Sequence, residues 1–264
     1  MLIKKHRCNN ETNTIRVSDV IRSNRVRCIG YLDGAIMTET IRILDLFCGE
    51  GGASMGFFSA ASKIRTRVKI NTGRIINIEV VGVDKRPMKR YPFTFIQEDA
   101  LSLDYEFLDT FDFIHASPPC KSYTRLYHFA KKDTDKSILP RVLTMLEAAG
   151  KPYTVENVPQ APIRADVQLD GTMFNLALKR RRIFQTNVSI LRYPQATRYS
   201  ENMNVTTVAG NSSTLGAASQ AMGIYWMSKK GINEAIPPAY TDWIGLQILP
   251  FMYQHLLVPG GFAS

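Results

Sequence analysis

The chain has 264 residues, 45% hydrophobic and 21% charged, with a formal net charge of +10. That length allows one large α/β domain with a sizeable core, and no apolar run reaches the ~18–20 residues that span a bilayer. The N-terminal stretch MLIKKHRCNNETNTIRVSD lacks the apolar centre of a secretory signal, so a soluble intracellular protein is expected, and its basic balance points to a polyanionic partner, nucleic acid first.

Residues 1–36 are rich in Arg, Lys and Asn and read as a basic, flexible N-terminal extension, with Met37 as an alternative start. The first strong strand is IRILDLF, 41–47, which runs into the glycine-rich turn CGEGG and a helix over GASMGFFSAAS. In RTRVKINTGRIINIEVVGVD, NTGR is read as a turn between two extended pieces, with IEVVGVD the buried strand. A turn at KRPMKRYP leads to the strand FTFIQEDA, and FDFIHAS, 111–117, delivers Pro118, Pro119 and Cys120 to its C-terminal end. KSILPRVLTMLEAAG is an amphipathic helix ended by Gly150, and PYTVENV, 152–158, a further strand. LDGTMFNLALKRRRIFQTN contains a hairpin, and a long helix begins near Pro237 and Pro238. The order predicts an α/β, doubly wound, mostly parallel sheet, with ligands at the carboxyl ends of its strands.

Four cysteines, Cys8, Cys28, Cys48 and Cys120, lie without CxxC spacing and suggest neither a metal site nor a disulfide framework. In DLFCGEGG, 45–52, Gly49, Gly51 and Gly52 miss the dinucleotide spacing GxGxxG, and no GK[ST] follows. A nucleoside ligand without a phosphate chain is left, with Asp84 placed for ribose hydroxyls and Asp99 for an adenine amine. In PPC, prolines stiffen the loop that carries Cys120, while Lys121 and Arg125 supply the cations that favour a thiolate. Most cysteines are buried and inert, which suits Cys48. YTVENV puts the Glu156 carboxyl at the same sheet edge as Cys120, where it can hydrogen-bond or protonate a ring nitrogen. LKRRRIF, read as a strand, would set Arg180 and Arg182 on one face, in reach of phosphate or a base carbonyl.

Taken in order, DLFCGEGG, GVD, EDA, SPPC, ENV, RRRIF and EAIPP resemble the cytosine-C5 DNA methyltransferase family, over nearly the whole chain from residue 41 to about 249. The resemblance implies a class I, Rossmann-like domain at 37–264 that binds S-adenosyl-L-methionine and no metal. It implies methyl transfer to C5 of a cytosine flipped out of double-stranded DNA. Cys120 would be the nucleophile, Glu156 would bind N3 and the exocyclic amine, and Arg182 with Arg180 would hold the O2 edge and a phosphate. Phe47 would lie against adenine, Asp84 would bind ribose, Asp99 the adenine amine, and Gly49, Gly51 and Gly52 the methionine end. Asp45, Ala100, Pro118, Glu234 and Ile236 would complete the cofactor pocket.

The chain departs from the family at several points. Asp84 stands where Glu is usual, Leu178 where a Gln precedes the arginines, and Glu234 where the GNxxPP-like motif has Asn. The largest departure is a very reduced recognition segment near 186–217, too short to build a sequence-reading domain. A compact, phage-like monomer with short or loose sequence context is expected, in the cytoplasm of a bacterial cell or infected host, in restriction-modification or anti-restriction. The same chemistry on RNA, where one branch of the family acts, and a non-catalytic DNA-binding homologue are the alternatives.

Overall fold

The central strand, β1 (Glu39–Leu46), alternates cleanly: Ile41 and Ile43 enter one core, Leu44 and Leu46 the other, and all four are fully buried. A strand buried on both faces belongs inside a parallel sheet. β1 pairs in parallel with β2 (Ile76–Asp84) and with β4 (Phe113–Ala116). β3 (Thr94–Gln97) extends the sheet beyond β2, and β5 (Tyr153–Asn157) beyond β4, both parallel. β7 (Arg182–Thr186) joins β5 antiparallel and pairs with β6 (Val167–Leu169), so the order is β3-β2-β1-β4-β5-β7-β6. This computed structural model describes residues 16–24, 39–123, 135–190, 206–208 and 213–254.

α2 (Gly52–Thr72) and α7 (Pro238–Met252) cover one face, around Phe57, Phe113, Tyr240 and Ile244. α3 (Tyr105–Asp109) and α4 (Ile138–Ala149) cover the other, around Phe107, Ile114 and Val142. α2 and α7 touch through missing side chains: a Cβ on Gly56 would lie 2.0 Å from Thr241 Oγ1, and one on Gly245 2.7 Å from Ala60 Cβ. α7 starts at Pro238, where a helix needs no N–H, and Gly150 ends α4 with φ 63. α5 (Leu215–Met222) and α6 (Lys229–Glu234) form a small third cluster with Leu178, Val208 and Ile224.

Away from the site, the structure differs from the sequence reading in two places. α2 runs on through RTRVKIN to a left-handed Gly73, so that segment is helical, not extended. Ile64 and Val68 are buried four residues apart while Arg65, Arg67 and Lys69 are exposed, a helical period masked by alternating charge. Part of the extension is also folded: α1 (Val17–Asn24) packs on α3 and buries Val20 against the Phe107 core. The rest of the extension with Met37, most of the basic 121–132 loop, and 191–205 and 209–212 of the recognition segment lie outside the described residues.

Candidate active site

The turn after β1 reverses sharply because three of its five residues are left-handed: Phe47 (φ 58), Gly49 (φ 52) and Gly51 (φ 88). For Phe47 that conformation costs ~1–2 kcal/mol. The three glycines do different things. A Cβ on Gly51 would lie 2.8 Å from Pro92 Cδ, and one on Gly52 2.4 Å from the Ile236 carbonyl oxygen, so both admit close packing of protein. A Cβ on Gly49 would meet nothing within 4 Å, which makes it the open face of the turn. Glu50, which sequence reasoning passed over, anchors the turn: its carboxylate accepts from Ser228 N (2.6 Å) and Ser228 Oγ (2.7 Å).

At the end of β2, Asp84 is 6% exposed. Its Oδ2 accepts from Gly49 N (3.3 Å) and its Oδ1 from Arg86 N (2.9 Å). Arg86 Nη1 reaches on to Glu234 Oε2 (3.1 Å). Asp84 and Glu234, two of the family departures, therefore share one guanidinium. Asp99 is exposed and caps Leu101 N with Oδ1 (3.0 Å), while Ala100 behind it is buried. Ile236 is a core residue.

Asp45, expected with the cofactor residues, lies in the interior. It points from β1 under α2, fully buried, and accepts from Ser54 Oγ, which also bonds Tyr91 Oη at 2.8 Å. Burial pushes its carboxyl up to about 7, against the hydrogen bond from Ser54. It supports the turn from below.

A second group of candidate residues lies at the ends of β4, β5 and β7. Ser117 N donates to Leu46 O (3.1 Å), which continues the ladder past β4 and aims SPPC off the sheet edge. Pro118 is buried, and its carbonyl accepts from Asn157 Nδ2 (3.1 Å), so the strand that carries Glu156 also braces the cysteine loop. Cys120 is half-buried and carries a free thiol. Glu156 is 6% exposed, and Arg182 Nε lies 2.8 Å from its Oε1. The register sets this pair: Glu156 faces Phe184 across β5 and β7, so Arg182 is its diagonal neighbour on the same face. Burial raises the Glu156 pKa, and Arg182, Arg180 and a hydrogen bond from Ser117 oppose it. Burial and then the Glu156 charge raise the Cys120 thiol, again against the two arginines.

Arg180 does not alternate with Arg182, because it precedes β7. It is buried, and its Nη1 and Nη2 donate to Val208 O (2.7 Å) and Asn233 O (2.8 Å). Burial, with help from Arg182, lowers its pKa to about 9. It bears on Cys120 and Glu156 through its charge while both ends of the fork hold backbone. Leu178 is fully buried in the third cluster, where a glutamine amide would lack water.

Among the described residues no helix is long and apolar enough to cross a membrane, and no group of three or more His, Cys, Asp or Glu could hold a metal ion. The strand order, the helices on both faces and the glycine turn at the end of β1 define a class I, Rossmann-like methyltransferase fold. No protein-family model and no curated protein matches the chain. Among solved structures, the Dnmt2 methyltransferase of S. pombe is similar in fold, with a TM-score of 0.50 and 11% identity over 81% of this chain and 99% of that one. A mutant of DNMT2 from Spodoptera frugiperda aligns at a TM-score of 0.41 and 16% identity, over 62% of this chain and 57% of that one.

Proposed function

We propose that this chain transfers a methyl group from S-adenosyl-L-methionine to C5 of a flipped cytosine in double-stranded DNA, through a covalent cysteine adduct and with a short or loose sequence context. The observation that carries this is the Arg182–Glu156 pair (2.8 Å) at the end of β5, the strand whose Asn157 braces the loop that carries Cys120.

The residues on the β1–β3 side suit a nucleoside cofactor with an amino-acid tail. The turn offers an open cradle at Gly49 beside the half-buried Phe47 and the Asp84 carboxylate. Asp84, Asp99 and Glu234 would repel a phosphate chain. Phe47, Gly49, Asp84 and Asp99 would hold the cofactor, which supplies an electrophilic methyl group when bound.

C5 of cytosine is a weak nucleophile, and the residues of this chain make it a better one. Cys120 Sγ bonds to C6, the C5–C6 electron pair shifts through the ring, and N3 takes a proton from Glu156. The Cys120 thiol gives its proton to the Glu156 carboxylate, so thiolate and protonated acid form without a proton from solvent. Arg182, paired with Glu156, would keep that carboxyl facing the base and reach the O2 edge. Once C5 is methylated, it gives its proton to solvent water, the electrons left at C5 restore the C5–C6 double bond as the Cys120–C6 bond breaks, and N3 returns its proton to Glu156. Flipping is required, since a stacked cytosine cannot reach a half-buried thiol.

Mass spectrometry of digested product should find 5-methylcytosine in DNA, and Cys120→Ser should abolish both product and trapping on 5-fluorocytosine DNA. Methylation of tRNA but not DNA would move the substrate to RNA. A Cys120→Ser variant as active as wild type would refute the covalent step.

A further inference from the structure

Behind Glu156 runs a line of hydrogen bonds that methyl transfer does not by itself require. His115 is fully buried at the middle of the sheet, with Asp45 of β1 and Thr154 of β5 as its register partners. The rings of Phe57 and Phe184 pack on it, at 5.1 and 6.5 Å between centroids. An apolar side chain would suit such surroundings, yet both ring nitrogens are engaged. Nδ1 lies 2.7 Å from Thr154 Oγ1, and Nε2 lies 2.9 Å from Ser117 Oγ. The register pairs His115–Thr154 and Ala116–Val155 bring Ser117 beside Glu156 at the next position of the two strand ends, where its hydroxyl opposes the rise of the Glu156 pKa.

These contacts fix a direction. Burial holds the imidazole neutral, with a pKa near 3, so it has one N–H. Ser117 has one proton, and when it goes to the Glu156 carboxylate, Ser117 Oγ accepts from Nε2–H. Nδ1 is then bare and accepts from the Thr154 hydroxyl. The line reads Thr154 to His115 to Ser117 to Glu156, every donor and acceptor used once. Reversing it requires the buried histidine to change tautomer. The Ser117-facing side of the carboxyl is thus kept as an acceptor, and a proton on Glu156 is directed elsewhere on the group.

We propose that His115, acting through Ser117, is a positioning residue for Glu156, fixing the rotamer and the proton of the acid that meets N3 of the base. This rests on the reading of the site as a cytosine-C5 methyltransferase. The backbone of Ser117 is held independently by Leu46 O, so loss of its hydroxyl leaves the loop in place.

The test uses the full chain with Ser117→Ala, Ser117→Thr, His115→Leu and His115→Gln, and measures kcat, KM for DNA and cofactor Kd. Ser117→Ala and His115→Leu should lower kcat on the order of 10- to 100-fold, part of the acceleration a general acid supplies, with KM and cofactor Kd unchanged. Ser117→Thr restores the hydroxyl and His115→Gln a donor near Nε2, so both should recover most of the loss. In a Glu156→Gln background, His115→Leu should cost nothing further. Wild-type kcat in Ser117→Ala and His115→Leu overturns the proposal, as does a full additional loss in the Glu156→Gln background. A wild-type chain that methylates no cytosine overturns instead the function on which it rests.

Discussion

Arg182→Leu isolates the electrostatics of the site, because leucine keeps much of the apolar stem and removes only the guanidinium. The pair it breaks is largely shielded from water, with side-chain exposures of 15% for Arg182 and 7% for Glu156. Leaving one partner of such a pair charged and alone costs ~3–5 kcal/mol. Glu156 can lower that cost by taking up a proton. Its pKa is already raised by burial, and without Arg182 only Arg180 and Ser117 oppose the burial. The folded chain then holds the Glu156 proton to a higher pH than the unfolded chain does. Below the ordinary carboxylate range, near pH 4, both states are protonated and the ionic part of the deficit vanishes. The deficit grows as pH rises through the folded-state value and is constant above it. Urea denaturation of wild type, Arg182→Leu and Arg182→Leu/Glu156→Gln at about pH 5 and about pH 8 reads this directly. The single variant should lose more stability at the higher pH, and the double variant should recover most of that increment. A loss of equal size at both pH values would show that Arg182 acts through packing, and the ion pair would lose its place in the site.

Gly56→Ala should destabilise the chain although alanine is favoured in a helix by about 1 kcal/mol. Its Cβ would lie 2.0 Å from Thr241 Oγ1 and 2.2 Å from Pro238 O, and forcing α2 from α7 costs ~1–3 kcal/mol or more; a rise in denaturation midpoint would refute this. Val20→Asp should release α1 and leave the sheet folded, seen as faster proteolysis ahead of residue 39 at near-native near-UV circular dichroism. Arg86→Leu should weaken cofactor binding several-fold by isothermal titration calorimetry, since Asp84 and Glu234 then face each other without the cation that now joins them. Unchanged affinity would remove Arg86 from the cofactor side.

The parts of this protein legible in its sequence are those fixed by local pattern. β1 and β5 announce themselves by apolar runs that end in DLFCG and in ENV, and Gly150 and Pro238 punctuate helices through their own backbone geometry. The second half of α2 was hidden because Arg65, Arg67 and Lys69 alternate like a strand; only Ile64 and Val68, one turn apart, carry the helical period. α1 had a weak signal of the same kind in Val17 and Val20. Asp45 looked like a ligand contact because it adjoins the glycine turn, yet strand parity sends it under α2. Arg86, Asn157 and Ser117 carry no local signal as site residues, since each acts on a residue distant in sequence: Arg86 on Glu234, 148 residues on, Asn157 on Pro118, 39 residues back, and Ser117 beside Glu156 on the neighbouring strand end. No periodicity encodes such pairings.

The departures from the family pattern form one structure. Arg180 Nη2 holds the carbonyl of Asn233, the residue before Glu234. Glu234 pairs with Arg86, and Arg86 with Asp84, whose other oxygen accepts from Gly49 N. Leu178, two residues before Arg180, closes the small apolar cluster that seats α6. A continuous tie thus runs from the approach to β7, which carries Arg182, through α6 to the open glycine of the turn after β1. With an asparagine at 234 the tie would lose its charge pair, and Arg86 would stand beside a single carboxylate. The shorter Asp84, the acidic Glu234 and the apolar Leu178 therefore belong together. They tie the turn after β1 to α6 and to the approach to β7, with the Arg86–Glu234 link at the protein surface.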